Sequence, residues 1–286
     1  MQTVTSKDGT RIAYDRTGDG PLVILIGGAM SYRKFSKMRE IAEKLAAAGC
    51  AVVNYDRRGR GDSTEATPFS HETAVEREID DLAAIIAAEG GKATLWGWSS
   101  GGALALRAAV VLDGVEKVSA YEIPFMVDPG HNRPTPDYGE RLDELVAAGD
   151  RSGAVSHFMR NAIGMPAPFV LAMRLTPMWK GLKSTAHTLP YDWEALGKHT
   201  MYGEPLSFEE WAPVEVPVQV VYGGKSATVL QEGSKALARV LSDATATELP
   251  GVSHNVKADA LVPVLAEFVT GARARAGRAA DTLATV

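Results

Sequence analysis

Gly97-Trp98-Ser99-Ser100-Gly101 is the stretch on which chemistry would centre. Ala93-Thr94-Leu95-Trp96, a run with strand character, precedes it, and Gly102 to Ala109 follow as a helix. A serine on a sharp turn between strand and helix has an exposed hydroxyl and a strained backbone. Holding a residue other than glycine at positive φ costs about 1–3 kcal/mol. Gly97 and Gly101 lack the Cβ atoms that would crowd such a turn, and Gly102 lets the helix pack closely on the sheet. The Ser100 N–H then sits at a helix N-terminus, where the dipole favours an oxyanion. The chemistry on offer is attack by Ser99 on a carbonyl carbon. A chance G-x-S-x-G in a glycine-containing loop is the competing reading, and the strand–turn–helix setting speaks against it.

The rest of the chain must position that turn. Residues 2–16 read as a hairpin turning at Asp8-Gly9. Leu22 to Ile26 is a continuous apolar strand ending in Gly27-Gly28. Residues 32–48 form a helix with Phe35, Met38, Ile41, Ala42 and Leu45 on one face, stopped at Gly49. Ala51 to Tyr55 is a strand, Glu72 to Ala88 a helix, and Val118 to Tyr121 a strand leading into Glu122-Ile123-Pro124. Residues 127–205 read differently, as short proline-broken helices: Tyr138 to Ala148, Arg151 to Ala162, Ala167 to Leu175 and Met178 to His187. Alternation then resumes with strands at 218–222 and 246–249 and helices at 229–241 and 256–270. Buried strands alternating with helices predict an α/β fold, a mostly parallel sheet covered on both faces. Sites in such sheets lie beyond the carboxyl ends of strands, where Gly27, Ser99 and Glu122 all fall.

Composition narrows the function classes. The net charge of −5 argues against nucleic acid, and Arg57, Arg58 and Arg60, the densest basic cluster, are broken by glycine. No apolar run approaches a membrane span, and the first residues do not read as a signal peptide. The lone Cys50 opens a strand, fits buried core, and excludes an internal disulfide framework, so the expected location is the cytoplasm. His71, His131, His157, His187 and His199 are scattered without metal-ligand spacing, and neither metal nor cofactor is expected.

These stretches together resemble the α/β-hydrolase superfamily, over nearly the whole chain and least in residues 127–205. Tyr55 to Ser63 is similar to the family's D-x-R-G-x-G-x-S turn, which makes Arg60-Gly61-Asp62 a poor candidate for an adhesion ligand. Gly27-Gly28-Ala29 stands where the family has a His-Gly-x oxyanion loop, with Gly27 replacing the histidine. Leu249 to His254 resembles the loop bearing the catalytic histidine. The resemblance implies an α/β-hydrolase core over 1–126 and 206–271 and a helical lid or cap over 127–205, while the Ala/Arg-rich tail over 272–286 is expected to be flexible from its composition. It implies Ser99 as nucleophile, His254 as base, and the Ala29 and Ser100 N–H groups as oxyanion donors.

The acid departs from the pattern. Most members carry aspartate after the penultimate strand, and here Ser226 holds that place. A neutral hydroxyl cannot steady an imidazolium, so the acid comes from elsewhere or the site is degenerate. Glu122 ends the neighbouring strand and keeps the order Ser99, Glu122, His254. The fungal zearalenone lactonases are similar in placing their acid there. Asp128 is the second candidate, and a helix-capping or salt-bridging role for Glu122 is the bland alternative. Met30, Trp98, Phe125, Met126, Met165, Phe169, Met173 and Trp179 are expected to line an apolar pocket or to serve as core of the lid. The implied activity is cofactor-free hydrolysis of a small to medium apolar ester or lactone, a small-molecule substrate. Acyl transfer, thioester hydrolysis, haloperoxidase chemistry and non-catalytic ligand binding are the alternatives. The resemblance also allows a homodimer.

Overall fold

The computed structural model describes residues 1–128, 130 and 133–271. The expected tail over 272–286 and His131 lie outside the described residues, as does the His199 side chain.

Eight strands form one sheet in the order β1-β2-β4-β3-β5-β6-β7-β8. The hairpin of β1 (Gln2–Thr5) and β2 (Arg11–Thr17) joins β4 (Ala51–Tyr55) antiparallel. From β4 onward the pairs are parallel, through β3 (Leu22–Ile26), β5 (Ala93–Trp98), β6 (Val115–Tyr121), β7 (Val218–Gly223) and β8 (Ala244–Leu249). Period-2 alternation sorts the strand side chains into two cores. Val23 and Leu25 pack with Met38, Ile41 and Leu45 of α1 (Ser36–Ala47) and Leu261 and Leu265 of α11 (Ala258–Thr270). Ile24 and Ile26 point the other way, to a core with Leu82 and Ile86 of α2 (Ala74–Ala88), Leu104 of α3 (Ser100–Val111) and Leu237 of α10 (Thr228–Val240). Burying one such side chain stabilises the fold by about 1.5–3 kcal/mol.

The segment between β6 and β7 is helical. It runs through α4 (Tyr138–Ala147), α5 (Arg151–His157), a π-helical turn at Phe158–Ala162, α6 (Ala167–Met173), α7 (Pro177–Thr185), α8 (Leu189–Leu196) and α9 (Phe208–Trp211). No strand occurs between β6 and β7 among the described residues, and no described helix is long and apolar enough to cross a membrane.

Two differences from the sequence reading matter for the site. Helix α1 begins at Ser36 because Tyr32–Phe35 close a separate turn, with the Phe35 N–H donating to Tyr32 O at 2.9 Å. Helix α8 was not expected at all. Pro190 reads as a breaker, yet it sits in the helix's first turn, where its missing N–H leaves no partner wanting.

Candidate active site

Strain marks the site. Among the described residues, three other than glycine have positive φ: Met30 at 59°, Ser99 at 56° and Glu122 at 47°. They lie just beyond the carboxyl ends of β3, β5 and β6. At Ser99 the cause is the turn from β5 into α3, where a Cβ on Gly97 would stand 2.3 Å from Gly101 O and one on Gly101 2.2 Å from Ile26 O. The Ser99 N–H donates to Tyr121 O at 2.9 Å, so the turn is tied to the neighbouring strand. Gly28 keeps the adjoining loop close, since a Cβ there would lie 2.9 Å from Ser99 Cβ.

His254 follows β8, as expected, and its Nδ1 lies 2.8 Å from Glu122 Oε2. A carboxylate only accepts, so the proton between them sits on Nδ1 and the free lone pair on Nε2. Glu122 has no solvent exposure; its Oε1 accepts from the Gly223 N–H at 2.6 Å, and its own N–H donates to Val221 O at 3.1 Å. Those contacts account for its carboxylate without a helix cap. The Tyr121 hydroxyl donates to Ser253 O at 2.7 Å and pins the histidine loop. Burial, and then the Glu122 charge, push the Tyr121 phenol well above its ordinary range, so it stays a donor. The Lys225 N–H reaches Val252 O at 2.8 Å, binding the turn after β7 to the same loop. Ser226 stands in that turn with its hydroxyl buried and unpartnered. Asp128 is turned to its own loop, where Oδ1 accepts from the Gly130 N–H at 2.8 Å.

Ser99 and His254 open on a cavity of about 410 Å³. Gly28, Ala29 and Met30 form one rim, and Tyr32, Phe35 and Trp98 a wall. Phe158, Met159, Ile163, Pro177, Met178 and Leu182 face them from the helical segment. Among the described residues, the lining contains no Asp, Glu, Lys or Arg. Ser100 begins α3, so its N–H belongs to the unpaired first turn beside Ser99. Its own side chain is buried and turned away from the cavity.

Of the expected pocket residues, Met30 and Trp98 line this cavity; Phe125, Met126, Met165, Phe169, Met173 and Trp179 do not. Phe125 is fully buried with its ring 5.4 Å from that of Trp211, and Met126 is buried beside Thr200. Trp179 points away from its neighbour Met178 and anchors α7 to α5, its ring N–H donating to Ser152 Oγ at 3.0 Å. Phe169 is 65% exposed on the outer side of α6. Met165 and Met173 are half-buried against the core. A signal for the true wall was present: Met159 and Ile163, and Met178 and Leu182, are spaced i, i+4 and so share helix faces.

The other expected features are also located. Arg60 is buried and cannot present an adhesion tripeptide. Instead Asp56 organises the turn, accepting from the N–H groups of Arg33 at 2.6 Å and Asp62 at 2.9 Å, while the Ser63 hydroxyl donates to Asp56 O. His71 sits between Asp143 and Glu194, His157 beside Asn161 and Tyr138 O, and burial holds the half-buried His187 below its ordinary value. Among the described residues no group of three or more His, Cys, Asp or Glu is placed to hold a metal ion.

Comparison with known proteins agrees with this architecture. An alpha/beta hydrolase from Sphaerobacter thermophilus DSM 20745 is 42% identical, covers 94% of this chain and 100% of its own, and superposes with a TM-score of 0.84. A thermophilic esterase from Thermogutta terrifontis, 21% identical over 96% of this chain and 99% of its own, superposes at 0.67. The enol-lactonase from Burkholderia xenovorans LB400, 19% identical over 94% of this chain and 100% of its own, does so at 0.65. At such identities these two establish the fold alone. No curated protein matches the chain. The model of the Alpha/beta hydrolase family matches residues 23–264, which with the sheet and the strained turn at Ser99 makes the chain a member of that family.

Proposed function

We propose that the protein is a serine hydrolase that cleaves an uncharged, apolar carboxylic ester or lactone through an acyl-enzyme. The observation that carries the reading is the Glu122–His254 pair at 2.8 Å, opening on the same cavity as a strained Ser99. Ser99 Oγ attacks the carbonyl carbon and His254 Nε2 takes its proton. The tetrahedral oxyanion is held by the N–H groups of Ala29 and Ser100. Collapse breaks the bond to the alcohol oxygen, which leaves with the proton from His254. Water, deprotonated by the same imidazole, then releases the acid and restores Ser99. Glu122 keeps the productive tautomer and stabilises the imidazolium throughout. The uncharged cavity wall favours an apolar acyl or alcohol group; a charged one would be stripped of water with no partner. Residues 127–205 act as the lid, supplying that wall from Phe158 to Leu182. The esterase and enol-lactonase among the structural neighbours are compatible with the assignment.

The test is a screen of p-nitrophenyl esters of increasing chain length and several lactones, with fluorophosphonate labelling. Turnover and a label on Ser99 are expected. Ser99→Ala should fold and retain only what binding and the oxyanion hole supply, roughly 10³–10⁴ over water. Wild-type turnover in that variant would remove Ser99 from the reaction.

A further inference from the structure

The two expected oxyanion donors sit on different elements, Ala29 after β3 and Ser100 at the start of α3. No short run of chain fixes one against the other. A buried carboxylate from the helical segment does. Asp192, on α8, is 3% exposed. Its Oδ1 accepts from Ser100 Oγ at 2.7 Å and from Arg57 Nη1 at 2.5 Å; its Oδ2 accepts from Arg60 Nη2 at 2.7 Å. Arg57 continues to Gly27 O at 3.2 Å, and Arg60 Nη1 to Gly28 O at 2.8 Å and Ser31 O at 3.2 Å. Glu78 takes the far side of Arg57 at 2.5 Å, and the Thr188 hydroxyl accepts from Arg60 Nε at 2.9 Å. Two arginines thus meet two carboxylates, and the buried charge balances.

The contact with Gly28 O has a directional effect. That oxygen and the Ala29 N–H belong to one peptide unit, which is planar and points them in opposite directions. A guanidinium holding the oxygen therefore aims the N–H, and the positive charge on the carbonyl makes that N–H a stronger donor. On the other side, the same Asp192 carboxylate holds the Ser100 side chain and with it the first turn of α3. We propose that Asp192 is a positioning residue that sets the two halves of the oxyanion hole in register, directly through Ser100 and through Arg60 for Ala29. This rests on the serine-hydrolase reading. It makes the helical segment part of the catalytic geometry as well as of the cavity wall.

Such a role predicts a loss confined to the tetrahedral stage. Three quantities test it in the full-length protein: fluorophosphonate labelling of Ser99, kcat and KM on a p-nitrophenyl ester, and inhibition by an alkyl boronic acid, which forms a tetrahedral adduct on serine. In Asp192→Asn, kcat should fall about 10- to 100-fold and boronic-acid affinity by a similar factor, with KM within about twofold. Because Asp192→Asn leaves two buried arginines short of a charge and can fail to fold, Ser100→Ala is the second variant. It removes one hydrogen bond and no charge, and should lower kcat and boronic-acid affinity together by about threefold to tenfold at nearly unchanged melting temperature. A folded Ser100→Ala with both quantities within twofold of wild type overturns the assignment while leaving the hydrolase reading intact. So does a rise in KM with boronic-acid binding unchanged, the signature of a merely structural contact. A wild type that takes no label at Ser99 overturns the hydrolase reading and this assignment with it.

Discussion

Ser99 and Glu122 carry their side chains on backbones that glycine would adopt freely, with φ of 56° and 47°. Strain of that kind, about 1–3 kcal/mol each, persists only where the surroundings enforce it. Ser99→Gly should therefore be more stable than Ser99→Ala by about 1 kcal/mol, measured by urea unfolding, though both lack the proposed nucleophile. Equal stabilities would mean that the turn is not strained. Glu122→Gln should keep the fold and lower kcat/KM by about 10²- to 10⁴-fold, because an amide cannot stabilise the imidazolium. A value within threefold of wild type at unchanged Tm would exclude Glu122 from the mechanism. In a Glu122→Ala background, Ser226→Asp should restore part of the activity: the turn bearing Ser226 is hydrogen-bonded to the loop of His254, and its hydroxyl has no other partner. The strained turn at Ser99 was legible in the sequence because a side chain at positive φ between strand and helix needs glycines at fixed offsets. The histidine was legible from the resemblance of its loop. The acid was legible only as a candidate, since a glutamate after a strand carries no signature of which ring it faces.

At the scale of elements, the helical segment divides into a wall and its supports. Met159, Ile163, Met178 and Leu182 face the cavity, whereas Trp179 and Phe169 do not. Met159→Trp should shift preference towards shorter p-nitrophenyl esters with little change in Tm. Trp179→Ala should lower stability by about 3–5 kcal/mol and leave the chain-length profile unchanged. Phe169→Ala should stay within about 0.5 kcal/mol of wild type. A profile altered by Trp179→Ala but not by Met159→Trp would place the wall elsewhere. The strands and long helices were readable because their hydrophobic periods are long and regular. The short helices were harder: over seven to nine residues a phase error of a single residue exchanges Met178 for Trp179, and Pro190 looks the same inside a helix as at its start.

Across the whole molecule, buried and half-buried ion pairs make stability depend on acidity. Burial alone would raise the Asp192 carboxyl, but Arg60 and Arg57 outweigh it and hold it below its ordinary value. Asp15 is lowered in the same way by Arg33 against its burial. A carboxylate whose folded pKa lies below its unfolded value contributes stability that is complete above the unfolded value and is lost as pH falls through the folded one. The share of stability that these two carboxylates carry should therefore be complete above about pH 5 and decline below about pH 4. Asp192→Asn should lie about 3–5 kcal/mol lower at neutral pH, because two buried arginines lose a charge, and its acid decline should be shallower. A variant curve parallel to wild type across that range would mean Asp192 is not ionised in the fold. None of this network was legible beforehand. Arg57 and Arg60 were visible as a cluster, but their partner Asp192 lies more than a hundred residues away, and charge alone does not announce whom it will meet.

The placement of Glu122 just after β6 also bears on how such a chain can change over generations. Ser99 and Glu122 directly follow adjacent parallel strands joined by α3 in a single right-handed crossover, and the helical excursion leaves the sheet immediately afterwards. The closure entropy of that excursion grows only with the logarithm of its length, so residues can be gained or lost within it at small cost to the sheet. The proposed nucleophile and acid thus form one compact cassette, and the cavity wall downstream can be rewritten without disturbing it. Such rewriting is restrained at few points, and the aspartate of α8 is one of them.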